Sequence, residues 1–221
     1  MATDLSTPDA SELGKQVATG LASADTIAAQ RVQTLIWVHQ ARAAQLARTA
    51  ANLKAQYGAD DSGVKSAEAA VAAATADAAR AAVVHQQVTT PDPQVTPTGW
   101  ALHGRVFDPE LKPVSGFTLF LVDAAKSYQQ AYGFAYTDDT GYFLLNYAGS
   151  DPAATAAQPD LFVEITDSKV RPVYLSPAAF QPVLGKATYQ TIVLPADDQA
   201  IGTPPAEIQA VALPKRNKKK T

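Results

Sequence analysis

Cysteine is absent from the 221 residues. Its absence excludes a disulfide framework, a thiolate metal site and a cysteine nucleophile. Histidine is nearly as scarce. His39, His85 and His103 are the whole supply, and no two stand at the i, i+4 spacing of a helical zinc site. No run of about 18 apolar residues occurs, so no segment is expected to span a bilayer. The alanine-rich stretch from Ala67 to Val84 is interrupted by Glu68, Asp77 and Arg80. The opening MATDLSTPDASELGK holds neither the basic region nor the apolar region of a conventional export signal. The cytoplasm is therefore the default location, with signal-less export left open. A Gly-rich phosphate loop and a nucleophile elbow are also missing.

Charge of one sign is lacking overall: 18 basic residues face 21 acidic ones, for a net charge of −3. Such a balance argues against a protein that coats nucleic acid. It conceals an asymmetry, because Lys215, Arg216, Lys218, Lys219 and Lys220 lie within the last seven residues. The rest of the chain counts 13 basic against 21 acidic residues, so an acidic body carries a basic tail. That tail aids solubility, binds an anionic polymer by counterion release, or docks on the acidic body of another copy.

What is present divides by composition into residues 1–88, 89–99, 100–195 and 196–221. The first stretch is rich in alanine and carries the aromatics Trp37 and Tyr57. No proline or glycine falls between Asp25 and Gln56, and Ala28, Leu35, Val38, Leu46 and Leu53, with Ala24 and Thr49, recur at helical spacings. Gly58 suits a left-handed helix end, and Asp60, Asp61 and Ser62 offer caps for a second helix. There Val64, Ala67, Val71, Ala74, Ala78, Ala81, His85 and Val88 form a heptad seam. Two long helices, over about 25–57 and 61–88, are expected to pair antiparallel. Residues 11–23, weakened by Gly14 and Gly20, form a shorter helix that folds back or extends the first.

The run Leu35, Ile36, Trp37 and Val38 occupies more than one helix face. One face can meet the second helix; the other needs a further partner or covers its own hairpin. Together with Val71, Ala74 and Ala78 it is the expected contact surface for a second copy or another protein.

Residues 89–99, TTPDPQVTPTG, read as an extended linker because of Pro91, Pro93 and Pro97. Beyond Trp100, strands are expected at 100–107, 117–123, 131–137, 142–148, 161–166, 170–175 and 187–194. Phe117, Leu119 and Leu121 share one face, as do Phe143, Leu145 and Tyr147, and Leu161, Val163 and Ile165. Seven short strands separated by turn residues predict an antiparallel β-sandwich. The fold class is thus α+β: an alanine-rich antiparallel helical hairpin followed by a seven-stranded antiparallel sandwich and a polar tail.

Three blocks carry a family resemblance. They are Gly104-Arg105-Val106-Phe107-Asp108, then Lys112-Pro113-Val114-Ser115-Gly116-Phe117-Thr118-Leu119, then Tyr136-Thr137-Asp138-Asp139-Thr140-Gly141-Tyr142-Phe143. Residues 100–195 resemble the carboxypeptidase regulatory-like domain, a prealbumin-like (transthyretin-like) sandwich. The resemblance implies a fold and a non-catalytic accessory role. The hairpin resembles no family that can be named.

Enzymes on related sandwiches are poorly matched. Hydroxyisourate hydrolases carry a terminal Tyr-Arg-Gly-Ser signature and several histidines, whereas this last strand reads Tyr189-Gln190-Thr191-Ile192. Intradiol dioxygenases hold iron with two tyrosines and two histidines, and residues 100–195 contain only His103. An internal isopeptide bond needs a first-strand lysine where Arg105 stands. His85 is expected at a helix boundary, His103 exposed on its strand, Glu164 on the solvent side, and Asp108, Glu110, Asp138 and Asp139 as solvated turn acids. The expected function is binding without catalysis, with no catalytic residue, metal or cofactor. The alternative is carbohydrate or peptide binding on Tyr128, Tyr132, Tyr136 and Tyr142; an undetected hydrolase is the remaining option.

Overall fold

A computed structural model describes residues 10–149 and 160–196. The chain divides into two compact units, Met1–Pro91 and Asp92–Thr221. Lys215, Arg216, Lys218, Lys219 and Lys220 lie outside the described residues.

The first unit is a helical hairpin of α1 (Ala10–Tyr57) and α2 (Ser62–Thr89). Residues 11–23 are the first turns of α1, which crosses Gly14 and Gly20 without a break. Each glycine costs a helix roughly 1 kcal/mol, but no proline removes a donor there. At the hairpin turn Gly58 has φ 85 and its N–H donates to the Lys54 carbonyl at 3.0 Å. The Asp61 carboxylate caps α2 by accepting from the N–H groups of Gly63 and Val64. Lys54 and Glu68 bridge the two helices at 3.1 Å.

The seam of α2 buries Val64, Ala74, Ala78 and Ala81. On α1 the residues turned inward are Val32, Ile36, His39, Ala43, Leu46, Ala50 and Leu53, which are buried or half-buried. These positions step alternately by four and three, the heptad spacing. Because the alanines at 74 and 78 are already closed over, leucine at both positions is expected to overpack the seam. The expected cost is about 1–3 kcal/mol each, seen as earlier loss of the helical circular-dichroism signal. Unchanged helix melting would show that the seam tolerates bulk.

The second unit has seven strands in two sheets. They are β1 (Trp100–Phe107), β2 (Thr118–Val122), β3 (Phe134–Tyr136), β4 (Tyr142–Tyr147), β5 (Phe162–Thr166), β6 (Pro172–Leu175) and β7 (Lys186–Val193). One sheet has the order β4-β1-β7 and the other β3-β2-β5-β6. The inner faces share one core, in which Leu102, Val106, Phe143 and Ile192 meet Leu119, Leu121, Val163 and Ile165.

The expectation of a wholly antiparallel arrangement is corrected by the first sheet, which is mixed. β1 pairs antiparallel with β4 but parallel with β7, from Trp100 opposite Lys186 to Phe107 opposite Val193. A parallel neighbour requires a long crossover, and here every other strand lies between β1 and β7 in sequence. Alternation of apolar residues fixes which face of a strand is buried; it says nothing of the direction of the neighbour.

The resemblance blocks act as local devices. Gly116 and Gly141 have φ 75 and 72, and the Thr137 hydroxyl accepts from the Phe117 N–H at 3.0 Å. Asp138 ends the turn into β4 by accepting from the Thr140 N–H at 2.7 Å and the Tyr142 N–H at 3.0 Å. Among the described residues, no helix is long and apolar enough to cross a membrane.

Candidate functional site

One group of polar side chains from separate strands of the β unit converges on the outer face of the β4-β1-β7 sheet. β1 alternates, so Leu102 and Val106 enter the core while His103 and Arg105 point outward. The register then sets Tyr142 of β4 opposite Arg105 and Tyr189 of β7 opposite His103. Asp92, from the segment before β1, completes the group.

His103 was expected to be exposed; it is 0% exposed. Its ring packs edge-on against Tyr142 at 6.1 Å and Tyr189 at 5.2 Å. Those two aromatic rings, one from each neighbouring strand, account for the burial, and neither adjacency follows from the sequence of β1. Nδ1 lies 3.5 Å from the Tyr142 hydroxyl. Nε2 lies 3.2 Å from Oδ1 of Asp92, within ion-pair distance but off the axis of a well-formed hydrogen bond. The two ring nitrogens thus face different oxygens, one phenolic and one carboxylate.

Burial lowers the pKa of His103 and outweighs the opposing effect of Asp92, so the ring is neutral near pH 7. Burial raises the pKa of the Tyr142 phenol, against the attraction of Arg105. The Arg105 guanidinium sits 5.8 Å from the centre of the Tyr142 ring and donates from Nη1 to the Thr140 carbonyl at 2.7 Å. Asp138 is desolvated, yet bonds from Thr140 and Tyr142 and the nearby Arg105 leave its carboxyl below the usual range. The β4 turn therefore holds Arg105 and Tyr142 in one geometry.

Because Asp92 and Tyr142 approach opposite sides of the imidazole, they do not converge on one point with a His103 nitrogen as a metal requires. Among the described residues, no three or more of His, Cys, Asp and Glu gather as a metal-holding group. The turn acid Asp108 accepts from the Lys112 N–H at 2.8 Å, binding its own turn.

The other residues singled out from sequence are scattered. Tyr132 is buried against Trp100 and Tyr147. Tyr128 packs edge-on against Phe120, and Tyr136 is half-buried beside Phe134. With Tyr142 on the other sheet, the four tyrosines do not share a face. In the hairpin, Ile36, Ala74 and Ala78 are buried, Val71 is half-buried, and Leu35, Trp37 and Val38 are exposed. Trp37 instead lines an open groove of about 430 Å³ with Thr26, Gln30, Gln33 and the half-buried His85.

Glu164 corrects a further expectation. It is 3% exposed, paired with Phe120 and Leu175 on the strands either side. Phe120, Val122, Tyr128, Phe162, Val170 and Leu175 form a second apolar cluster on this face. Alternation correctly gives it the face away from the main core, but that face is also covered.

No family model and no curated protein matches the chain. Solved structures do. A hydroxyquinol 1,2-dioxygenase from Pseudomonas putida DLL-E4 matches 48% of this chain at 14% identity and TM-score 0.30; the chain spans only 58% of it. The dioxygenase domain of a dioxygenase carbohydrate-binding protein fusion from Streptomyces sp. SirexAA-E matches 48% of this chain and 83% of its own, at 20% identity and TM-score 0.29. BcpA, the major pilin subunit of Bacillus cereus, matches 46% of this chain and 31% of its own, at 15% identity and TM-score 0.26. Most of the matched structures described are dioxygenases, against the expectation of a non-catalytic display or adaptor protein, and that expectation is withdrawn. TM-scores this low place no particular activity on this chain.

Proposed function

We propose that the β unit carries a proton-transfer site in which Asp92, His103 and Tyr142 act as a general-base relay. The observation that supports it is the placement of one fully buried imidazole between a carboxylate and a phenol, each at a different ring nitrogen. His103 is too enclosed to touch a substrate. Tyr142 is half-exposed and is the group that presents an oxygen.

A substrate X–H gives its proton to the Tyr142 oxygen while the phenolic proton passes to Nδ1 of His103. The imidazolium so formed faces Asp92, which favours its charged form. Asp92 also selects the tautomer with the proton on Nε2, leaving Nδ1 free to accept. Arg105 over the Tyr142 ring stabilises negative charge that develops on the phenol. The substrate class is a compound that releases a proton at a hydroxyl or an activated carbon. The resemblance of residues 100–195 to the carboxypeptidase regulatory-like domain concerns the scaffold and is compatible with a site built on one sheet face.

The test uses the Tyr142 hydroxyl as its own reporter. An aryl sulfonyl fluoride reacts with tyrosines whose proton is drawn off by a base, and mass spectrometry locates the label. The wild-type chain is expected to label at Tyr142 faster than Asp92→Asn or His103→Gln, by roughly 10²-fold for the histidine change. Asp92 is largely exposed, so its variant keeps the fold. Equal labelling in all three folded proteins would remove the relay.

A further inference from the structure

The outer face of the β3-β2-β5-β6 sheet is closed over by a segment that belongs to no helix or strand, residues 123–129 after β2. Tyr128 returns across the sheet, bridging Val122 and packing its ring edge-on against Phe120 at 5.7 Å. Beneath it lie the fully buried Phe120 and Val122, with Phe162, Val170 and Leu175 around them. Pairing with Phe120 and Leu175 sets Glu164 among these residues, and its side chain is enclosed with them.

The two sides of this enclosure differ in firmness. Glu164 stands on β5, which is held by β2 on one side and β6 on the other. The cover is tied to the sheet by the Tyr128 bridge and by the Gln129 N–H, which donates to the Leu121 carbonyl at 2.9 Å. Its turn is closed from within, where Oδ1 of Asp123 accepts from the N–H groups of Ala125 and Ser127, each at 2.9 Å. Lys126, at φ 62, holds a left-handed conformation that favours glycine. A short segment closed on itself can lift as a unit while the strands stay paired.

Ionisation of Glu164 acts on this difference. The cover contributes the phenol of Tyr128 and the charge of Lys126, which attracts the carboxylate. On this face β2 presents Thr118, Phe120 and Val122, and β6 presents Leu175, none of them titratable. Tyr174 of β6 packs on the opposite face, against the main core. In the turn after β5, Arg171 donates to Asp167 at 2.8 Å and Lys169 is exposed. We infer that residues 123–129 are a pH-sensitive flap, which lifts from the outer cluster when Glu164 loses its proton. With the flap closed, burial pushes the carboxyl pKa up to about 7; lifting returns the group to water and to its ordinary value of 4.5. Opening is therefore insensitive to pH below about 4.5, grows about tenfold per unit up to about 7, and levels off roughly 10²-fold higher. The inference uses no residue of the proton relay.

Because the chain has no cysteine, a single introduced thiol can report the opening. Val122→Cys places one beneath the flap and Val106→Cys places one in the core between the sheets; both valines are fully buried. At pH 8 the thiol at 122 is expected to react with an aromatic disulfide reagent roughly tenfold or more faster than the thiol at 106. Adding Glu164→Gln is expected to slow the reaction at 122 roughly 10²-fold at pH 8 and only about twofold at pH 4.5. Comparison at one pH cancels the pH dependence of the thiol itself. The Gln129 amide gives a second reading without a cysteine. At pH 8 it is expected to exchange its hydrogen roughly 10²-fold faster than in Glu164→Gln, and ahead of the Val106 amide, which bonds the Gly141 carbonyl at 2.9 Å. Equal reactivity at 122 and 106 would mean that only unfolding of the whole unit uncovers the cluster. A fast thiol at 122 that Glu164→Gln leaves unchanged would mean that the carboxylate does not drive the flap. Either result overturns the inference.

Discussion

Replacing Glu164 by glutamine raises the stability of the β unit by about 3 kcal/mol near pH 8 and changes it little below about pH 4.5. The cause is desolvation. Glu164 lies between Phe120 and Leu175 within an apolar cluster, and burial pushes its carboxyl pKa up to about 7 against the weaker attraction of Lys126. A group whose folded pKa exceeds its unfolded pKa favours the folded state while protonated in both. Its contribution is complete below the unfolded value of 4.5 and is lost as pH rises through about 7. Glutamine keeps the shape and cannot ionise, so it removes that decline. Chemical denaturation of both proteins across this window measures the difference. Parallel curves for wild type and variant would show that Glu164 is solvated as an ordinary surface carboxylate.

Alanine at Gly104 is expected to cost the β unit more than about 3 kcal/mol, enough to unfold it in part. An added Cβ at this position would lie 1.8 Å from the Gln190 carbonyl oxygen, on the backbone of β7. Backbone cannot swing aside as a long side chain can, so β1 and β7 must part. That pairing places His103 opposite Tyr189, and its loss would open the wall that buries the imidazole. Near-wild-type melting of Gly104→Ala would mean that the strands are farther apart than described. The glycine in this first block therefore serves close strand approach, whereas Gly116 and Gly141 serve turns.

These two residues show where sequence suffices and where it does not. The alternation of Leu119 with Leu121, and of Leu161 with Val163 and Ile165, marks the inner face of each strand because one face of a sheet must be apolar. The same alternation leaves Glu164 on the other face and is silent on whether that face is covered. Its cover comes from residues distant in sequence, including Tyr128 and Val170. The parallel pairing of β1 with β7 is likewise a long-range property.

In the hairpin, alanine is the difficulty. Two stripes of α1 have similar hydropathy, so the period predicts a helix without telling which stripe meets α2. Leu35 and Val38 belong to the exposed stripe, while Val32, Ile36, Ala43 and Ala50 face the partner helix.

The candidate site was legible only in pieces. His103, Arg105 and Tyr142 each draw attention in the sequence, for unrelated reasons. Asp92 reads as a linker residue and Tyr189 as an ordinary strand residue. Their convergence depends on one cross-strand register on either side of β1 and on the path of the chain before it. The turn acids illustrate the opposite case: Asp138, recognisable from its Thr-Asp-x-x-Gly context, bonds the turn amides as its chemistry suggests.

Nitrogen-15 chemical shifts of the His103 ring, followed from acid to neutral pH in the full-length chain, test the proton relay most directly. A neutral ring at about pH 7, protonated on Nε2 and unprotonated on Nδ1, is the expected result, with the titration midpoint falling further in Asp92→Asn as the carboxylate's support is lost. A charged ring at that pH, or a neutral ring carrying its proton on Nδ1, would leave no acceptor for the Tyr142 proton and would contradict the relay.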